Sequence, residues 1–307
     1  MNGFFNIMKP TGMSSAAVVA VMRRLTGEKR TGHAGTLDPE AAGVLPIMTG
    51  KAARLFDYLV DKEKEYEAVC AFGSSTDTQD ATGTVMETGD RYPDLATVQE
   101  KAGTLVGEIT QKPSMYSAIK VGGKPLYARA RKGETVDVPE RKVTVRSIEV
   151  TGAEPEHGAA LRIRCGKGTY IRTICDDLGR LCGCPAHMRS LTRTRSGVFT
   201  LETAITLEEA RALAAEGKLG AKMLPPDYPL AHLRRVDIPR KYARQVAAGA
   251  KIPAEILRSE AAETENLRVY LEDAFWGIMR REGDTLVWKA QIAPEQEADG
   301  PEKPQED

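Results

Sequence analysis

Long apolar runs are missing from this chain of 307 residues. No stretch approaches the ~18 consecutive apolar residues that a membrane-spanning helix needs, so no membrane partner is expected. The first ten residues lack the cationic flank, apolar core and small-residue cleavage site of an export signal. Cysteine is sparse and odd in number, at Cys70, Cys165, Cys175, Cys182 and Cys184. With no export signal, that count points to reduced thiols and a cytoplasmic location. Cys175, Cys182, Cys184 and His187 contain no C-x2-C pair. A tight Gly-Cys-Pro turn carrying small buried thiols is therefore preferred to a zinc site. No Walker, Rossmann or EF-hand pattern occurs, and no metal, nucleotide or organic cofactor is expected. Net charge is absent too, because 43 basic residues balance 43 acidic ones. A bulk-charge argument for a nucleic-acid partner fails on that balance.

What is present is uneven. Apolar residues make up 41% and charged residues 28%, the composition of a folded domain. Arg162, Arg164, Lys167, Arg172, Arg180, Arg189, Arg193 and Arg195 face only Asp176 and Asp177 in the same segment. The end of the chain reverses this, with Glu295, Glu297, Asp299, Glu302, Glu306 and Asp307 against Lys303. A basic middle can track phosphates, or it can be a solvated face; charge alone does not decide.

Periodicity and turn residues give a coarse outline. Residues 4–9 read as a strand, followed by a helix through Ala16 to Leu25 that Ser14 or Ser15 can cap and that stops at Gly27. Residues 30–39 are Gly-rich and read as a loop, 51–60 as a helix, and 65–72 as a strand. Residues 73–83 read as a polar loop and 95–106 as a helix. Strands are expected at 136–150 and 159–165, a helix at 170–181, a strand from Val198 and a helix at 207–215. Pro225, Pro226 and Pro229 suggest a boundary. Beyond it a helix at 238–247 and strands at 267–271, 274–280 and 285–291 form a small β-rich module. Strands and helices do not alternate regularly, so the fold class is α+β with a largely antiparallel sheet. The expected division is 1–229, 230–293 and a disordered acidic tail at 294–307.

The segment Gly32-His33-Ala34-Gly35-Thr36-Leu37-Asp38-Pro39 presents an imidazole and a carboxylate on a glycine-rich bend. Read alone, Asp38 before Pro39 is as well explained as the start of a helix. The longer string GHAGTLDPEAAGVLPIMTGKAARL, from Gly32 to Leu55, narrows the choice. It resembles the catalytic segment of the TruB family, bacterial synthases that make pseudouridine in the T-arm of tRNA. Other family segments follow in order. They are Lys9-Pro10-x-Gly12-x-Ser14-Ser15, Lys64-Glu65-Tyr66, Asp77-Thr78-x-Asp80-x-x-Gly83, Pro113 to Arg131, Cys165 to Leu178 and Leu191 to Phe199. Ser114 departs from the pattern, standing where the family usually has a second proline. By itself this is expected to touch no catalytic role.

The resemblance implies a pseudouridine synthase fold with a mixed, largely antiparallel central sheet and a small C-terminal PUA-like domain. It implies an isomerase that flips uridine 55 out of the T-arm of tRNA and rebuilds its glycosidic bond, with no cofactor. Asp38 would be the essential carboxylate, Arg172 the arginine that pairs with it, and Tyr66 the ring that stacks on the base. Whether Asp38 attacks sugar or ring, or takes a proton, stays open. His33 would help extrude the base, and Tyr170 and Leu191 would wall the pocket. Lys9, Arg131, Lys132, Arg141, Lys142, Arg193 and Arg195 would contact phosphates. A monomer is expected. Two rival readings remain: a metal-independent hydrolase using His33 and Asp38, and a non-catalytic RNA-binding module.

Overall fold

The strand at the N-terminus sets the centre of the molecule. Gly3–Lys9 (β1) is buried along almost its whole length, and it pairs antiparallel with Ala42–Thr49 (β3) from Gly3 opposite Thr49 to Lys9 opposite Gly43. This computed structural model describes residues 1–59, 63–117, 119–257 and 262–294. Val60 of the expected 51–60 helix, and the acidic tail beyond Pro294, lie outside the described residues. The remaining strands of the main sheet are Thr31–His33 (β2), Lys64–Phe72 (β4), Gly107–Gln111 (β5), Arg141–Glu154 (β6), Gly158–Cys165 (β7), Ala186–Ser196 (β8), Phe199–Thr200 (β9) and Ile205–Thr206 (β10). Their order is β10-β1-β3-β8-β4-β7-β6-β5, with β2 on β3 and β9 on β8. Within this sheet, among the described residues, only the β1–β10 and β3–β8 pairs are parallel. The α+β, largely antiparallel expectation is met.

Helices cover the sheet where the sequence allows. α1 (Ser15–Thr26) starts on the Ser14 side chain, which accepts from the Ala17 N–H, and ends on Gly27 in the left-handed region. α2 (Leu95–Thr104) is capped by Asp94, α3 (Leu126–Ala130) is a single short turn, and α5 (Leu207–Ala215) opens with a Thr206/Glu209 capping box. α4 (Ile171–Cys182) buries most of one face against the sheet and stops at left-handed Gly183.

Several expectations shift. Residues 50–58 wind as a 3-10 helix. The polar loop contains a short strand, Ser74–Thr76, paired with Val85–Thr88. The expected helix at 238–247 is a 3-10 turn followed by α6 (Ala243–Ala247). The 136–150 strand begins at Arg141 and runs on to Glu154.

The C-terminal strands form a separate five-stranded sheet, with Asn266–Leu271, Ala274–Glu282 and Thr285–Gln291 at its middle. It is not loosely tethered. Tyr270, Phe275 and Ile278 share an apolar cluster with Phe4, Val44 and Phe199 of the main sheet. The proline-rich crossing is itself stitched to β1, because Phe4 and Leu224 exchange backbone hydrogen bonds of 2.9 and 2.8 Å.

Candidate active site

The bend that carries Asp38 is pinned by three side chains. The Ser15 hydroxyl donates to the Leu37 carbonyl and accepts from the Leu37 N–H, both at 2.9 Å. The Lys9 ammonium is buried and donates to the carbonyls of Pro10, Met13 and Pro39, the last at 2.9 Å. The Arg193 guanidinium donates to the carbonyls of Gly35 (3.1 Å) and Thr36 (3.3 Å). Gly43 makes this approach possible. A side chain there would put its Cβ 2.2 Å from the Arg193 carbonyl oxygen, where β8 runs directly opposite β3. Asp38 emerges from this frame with 41% of its side chain exposed.

Asp38 opens into a cavity of about 230 Å³, whose lining includes Lys64, Tyr66, Tyr170, Arg172 and Leu191. Arg172 stands in the first turn of α4 and is buried. Its Nε lies 3.0 Å from Asp38 Oδ2 and 3.8 Å from Asp80 Oδ2. The contact to Asp38 thus runs through one carboxylate oxygen rather than the two-pronged pairing that arginine often makes. The other donors go to the Thr78 carbonyl (2.9 Å), Ser114 Oγ (3.2 Å) and the Tyr116 carbonyl (3.1 Å). Such a guanidinium has little freedom left, and it fixes the carboxylate in turn.

Tyr66 in β4 is buried, and burial pushes its phenol up to about 12 against the opposing pull of Arg193. The ring forms one wall and Leu191 of β8 another. Tyr170 is held by its backbone, since the Gln111 amide donates to its carbonyl (3.1 Å) and accepts from its N–H (2.9 Å). The Arg141 and Arg172 guanidiniums each sit 5.9 Å from the Tyr170 ring centre.

Five of the seven sequence-selected residues therefore meet or line one cleft: Asp38, Tyr66, Tyr170, Arg172 and Leu191. Two do not. His33 lies in β2 opposite Ile47, half-buried, with its Nδ1 buried and unbonded among the described residues. Burial and Arg193 lower its pKa. Lys9 holds the bend from behind, and burial brings its ammonium down to about 8; as placed here it offers nothing to a phosphate.

Among the other cations chosen for phosphate contact, Arg193 is also fully buried. Arg131 and Lys132 are exposed, as is Lys142, which pairs with Glu108 at 3.1 Å. Arg195 pairs with Glu63 at 3.5 Å. Sequence reasoning gave no role at the site to Asp80, Ser15 or Gln111. All three stood in or beside quoted segments, but their contacts at the site span distant parts of the chain: Ser15 and Gln111 by hydrogen bonds, Asp80 by its 3.8 Å approach to Arg172. Ser114 is a correction: its hydroxyl accepts from Arg172 and donates to the Thr78 carbonyl at 3.3 Å, so the departure from proline does touch the site. Cys175 and Cys184 are core residues, and His187 bonds the Ser74 carbonyl at 2.9 Å.

Residues 23–171 match the TruB family pseudouridylate synthase N-terminal domain, and 172–236 match the tRNA pseudouridylate synthase B C-terminal domain. This chain belongs to the TruB family. Among curated TruB proteins, the tRNA pseudouridine synthase B of Alkaliphilus oremlandii is 41% identical over 286 residues, 92% of this chain and 94% of that protein. The one from Bacillus subtilis is 39% identical over 278 residues, 89% and 90% of the two chains. The TruB architecture recurs in solved structures. A chain of an H/ACA RNP bound to a substrate RNA containing 2'-deoxyuridine aligns with TM-score 0.72 at 23% identity, over 96% of this chain and 86% of that one, a likeness of fold alone. A chain of a Cbf5-Nop10-Gar1 complex aligns with TM-score 0.68 at 27% identity, over 91% and 78%. The fold is that of the pseudouridine synthases, with a C-terminal curled sheet, and the TruB family is one of isomerases. Among the described residues no helix is long and apolar enough to cross a membrane.

Proposed function

We propose that this protein converts uridine 55 in the T-arm of tRNA to pseudouridine, with Asp38 as the essential carboxylate. One observation carries the reading. A half-exposed carboxylate, fixed by a buried arginine, opens into a small cleft walled by Tyr66, Tyr170 and Leu191. The curated relatives named tRNA pseudouridine synthase B support the tRNA substrate.

The cleft is smaller than the ~300–1,000 Å³ of pockets for drug-sized ligands, which suits one base and excludes a duplex. The target nucleotide must therefore leave its stack, at a cost of a few kcal/mol. Contact with an aromatic wall returns about 1–3 kcal/mol per base. In the reaction the N1–C1′ bond breaks, the freed base turns, and C5 bonds to C1′. The C5 hydrogen leaves as a proton and N1, which carried the sugar, gains one, so protons balance and no electrons are exchanged with a cofactor. Arg172 orients the carboxylate of Asp38. Tyr66, Tyr170 and Leu191 keep the base in the cleft while it rotates. The hydrolase alternative loses its premise, because His33 does not share the cleft with Asp38.

The exposed Arg131, Lys132 and Lys142 are assigned to phosphate contact, and the sheet after residue 230 to a PUA-like RNA-binding role. Since one chain supplies the whole cleft, the enzyme is taken as a monomer, working in the cytoplasm with its tRNA. The test is tritium release from T-arm RNA labelled at C5 of uridine 55. Release should be stoichiometric with the wild type and absent when position 55 is cytidine. Bound RNA that keeps all its tritium would reduce the protein to a binder.

A further inference from the structure

Arg193 is the bulkiest of the fully buried side chains, and among the described residues it forms no salt bridge. A charged group held in the interior without a counter-ion is expensive, and it persists only where other groups satisfy it. Here they do. Nε donates to the Val44 carbonyl of β3 at 2.7 Å. The two terminal nitrogens take the carbonyls of Gly35 and Thr36, and the guanidinium also acts electrostatically on the Tyr66 phenol, opposing the upward push of burial on that group. Tyr66 and Arg193 are direct cross-strand partners in the β4–β8 register. Leu191, two residues back on the same strand and so on the same face, walls the cleft.

We propose that Arg193 is a positioning residue for the reaction: one guanidinium that locks the Asp38 bend and the Tyr66 phenol into a single rigid unit. This deepens the proposed function and rests on the cleft being catalytic. The arrangement follows from the shape of the group. Arginine has five N–H donors in a planar fork, and the three acceptors here come from two separate pieces of chain, β3 and the bend, while Tyr66 of β4 lies directly opposite in the register. A lysine ammonium is a point donor and cannot span them. A shift of the bend by even 1 Å would move the carboxylate off its target, and such misplacements slow reactions about a hundredfold.

The experiment combines Arg193→Lys and Tyr66→Phe, singly and together, with single-turnover rates and RNA dissociation constants on T-arm RNA. Arg193→Lys should lower the single-turnover rate about 30-fold or more while the dissociation constant stays within about threefold. In the Tyr66→Phe background the same change should cost far less, because the unit is already broken. A wild-type rate in Arg193→Lys, or fully additive losses, would overturn the proposal. If Arg193→Lys does not fold, the wild type with nitrogen-15 arginine decides. One Nε–H signal should resist solvent exchange and move on Tyr66→Phe; an unmoved signal overturns the coupling. Asp38→Asn separates this claim from its premise. If that variant is inactive while the Arg193 variants react normally, only the positioning role fails; if it is fully active, the catalytic reading itself fails.

Discussion

The cleft and the C-terminal sheet treat arginine in opposite ways. Arg172 and Arg193 are buried, and most of their donors are spent on backbone carbonyls from distant segments. Arg235 on the C-terminal sheet keeps 42% of its side chain exposed, pairs with Asp237 and Asp273 at 2.6 and 2.7 Å, and lies 4.1 Å from the Tyr270 ring centre. Charge of the first kind is in place before any RNA arrives, so it acts on rate. Charge of the second kind is screened and can change partners, so it acts on affinity and on salt dependence.

The largest effect should come from Asp38→Asn. The loss of turnover should be roughly 10³-fold or more, with RNA affinity within a few-fold of wild type. Tritium release and filter binding measure the two separately. A large affinity loss with normal chemistry would move Asp38 into the second class and break the contrast. Arg172→Lys should follow at about 10²-fold, because an ammonium cannot serve Asp38, Thr78 and Tyr116 together. Single-turnover kinetics at saturating RNA would show it, and a KM-only defect would contradict it.

How much of this could be read from the sequence divides along the same line. Local signals held: the Ser14 cap, the Gly27 stop, α5 and the three late strands appear where periodicity and turn residues put them. Two central strands were not seen. β3 is buried at nearly every position, so it shows no alternation, and it contains Gly43 and Pro46. β8 carries Arg189, Arg193 and Arg195, and an inward-facing arginine reads as surface. Asp38, Tyr66 and Arg172 were legible only through the family resemblance. The clamps supplied by Ser15, Gln111 and Arg193 join residues 22, 59 and about 157 positions apart, which no local pattern reports.

Helix α4 contains the comparison in miniature. Arg172 on one side is fully matched, whereas Asp177 on another is half-buried beside Asp176. Burial first, then Asp176, push the Asp177 carboxyl from 3.8 to about 6. The folded state then binds this proton more tightly than the unfolded chain. Stability should fall as pH rises from about 4 to about 6 and remain reduced above that. After discounting for solvent screening, about 1.5 kcal/mol is at stake. Asp177→Asn should therefore raise the melting temperature at pH 7 by about 3 °C, with little gain at pH 4. An equal gain at both pH values would show that the group is not titrating as described.

Ser114→Ala should slow single-turnover chemistry by a few-fold, in line with about 1 kcal/mol for one hydrogen bond. Ser114→Pro, which restores the residue usual in the family, should do about as much harm, because the proline offers Arg172 no acceptor either. Unchanged rates in both would make the hydroxyl incidental.

The smallest effect should be Asp237→Ala on the C-terminal sheet. Arg235 keeps Asp273, and exposed pairs of this sort add little to stability, so the melting temperature should move by no more than about 1 °C. The visible change should be in RNA binding. Removing an acid beside an exposed arginine should tighten binding at low salt and steepen its salt dependence, by less than one phosphate contact, a slope change of at most about 0.7. Single-turnover rates at saturating RNA should not change, since no atom of this pair approaches the cleft. A rate loss here, or a melting shift as large as that of Asp177→Asn, would mean that the outer arginines are built into the fold as firmly as the inner ones. The division between charge that sets rate and charge that sets affinity would then fail.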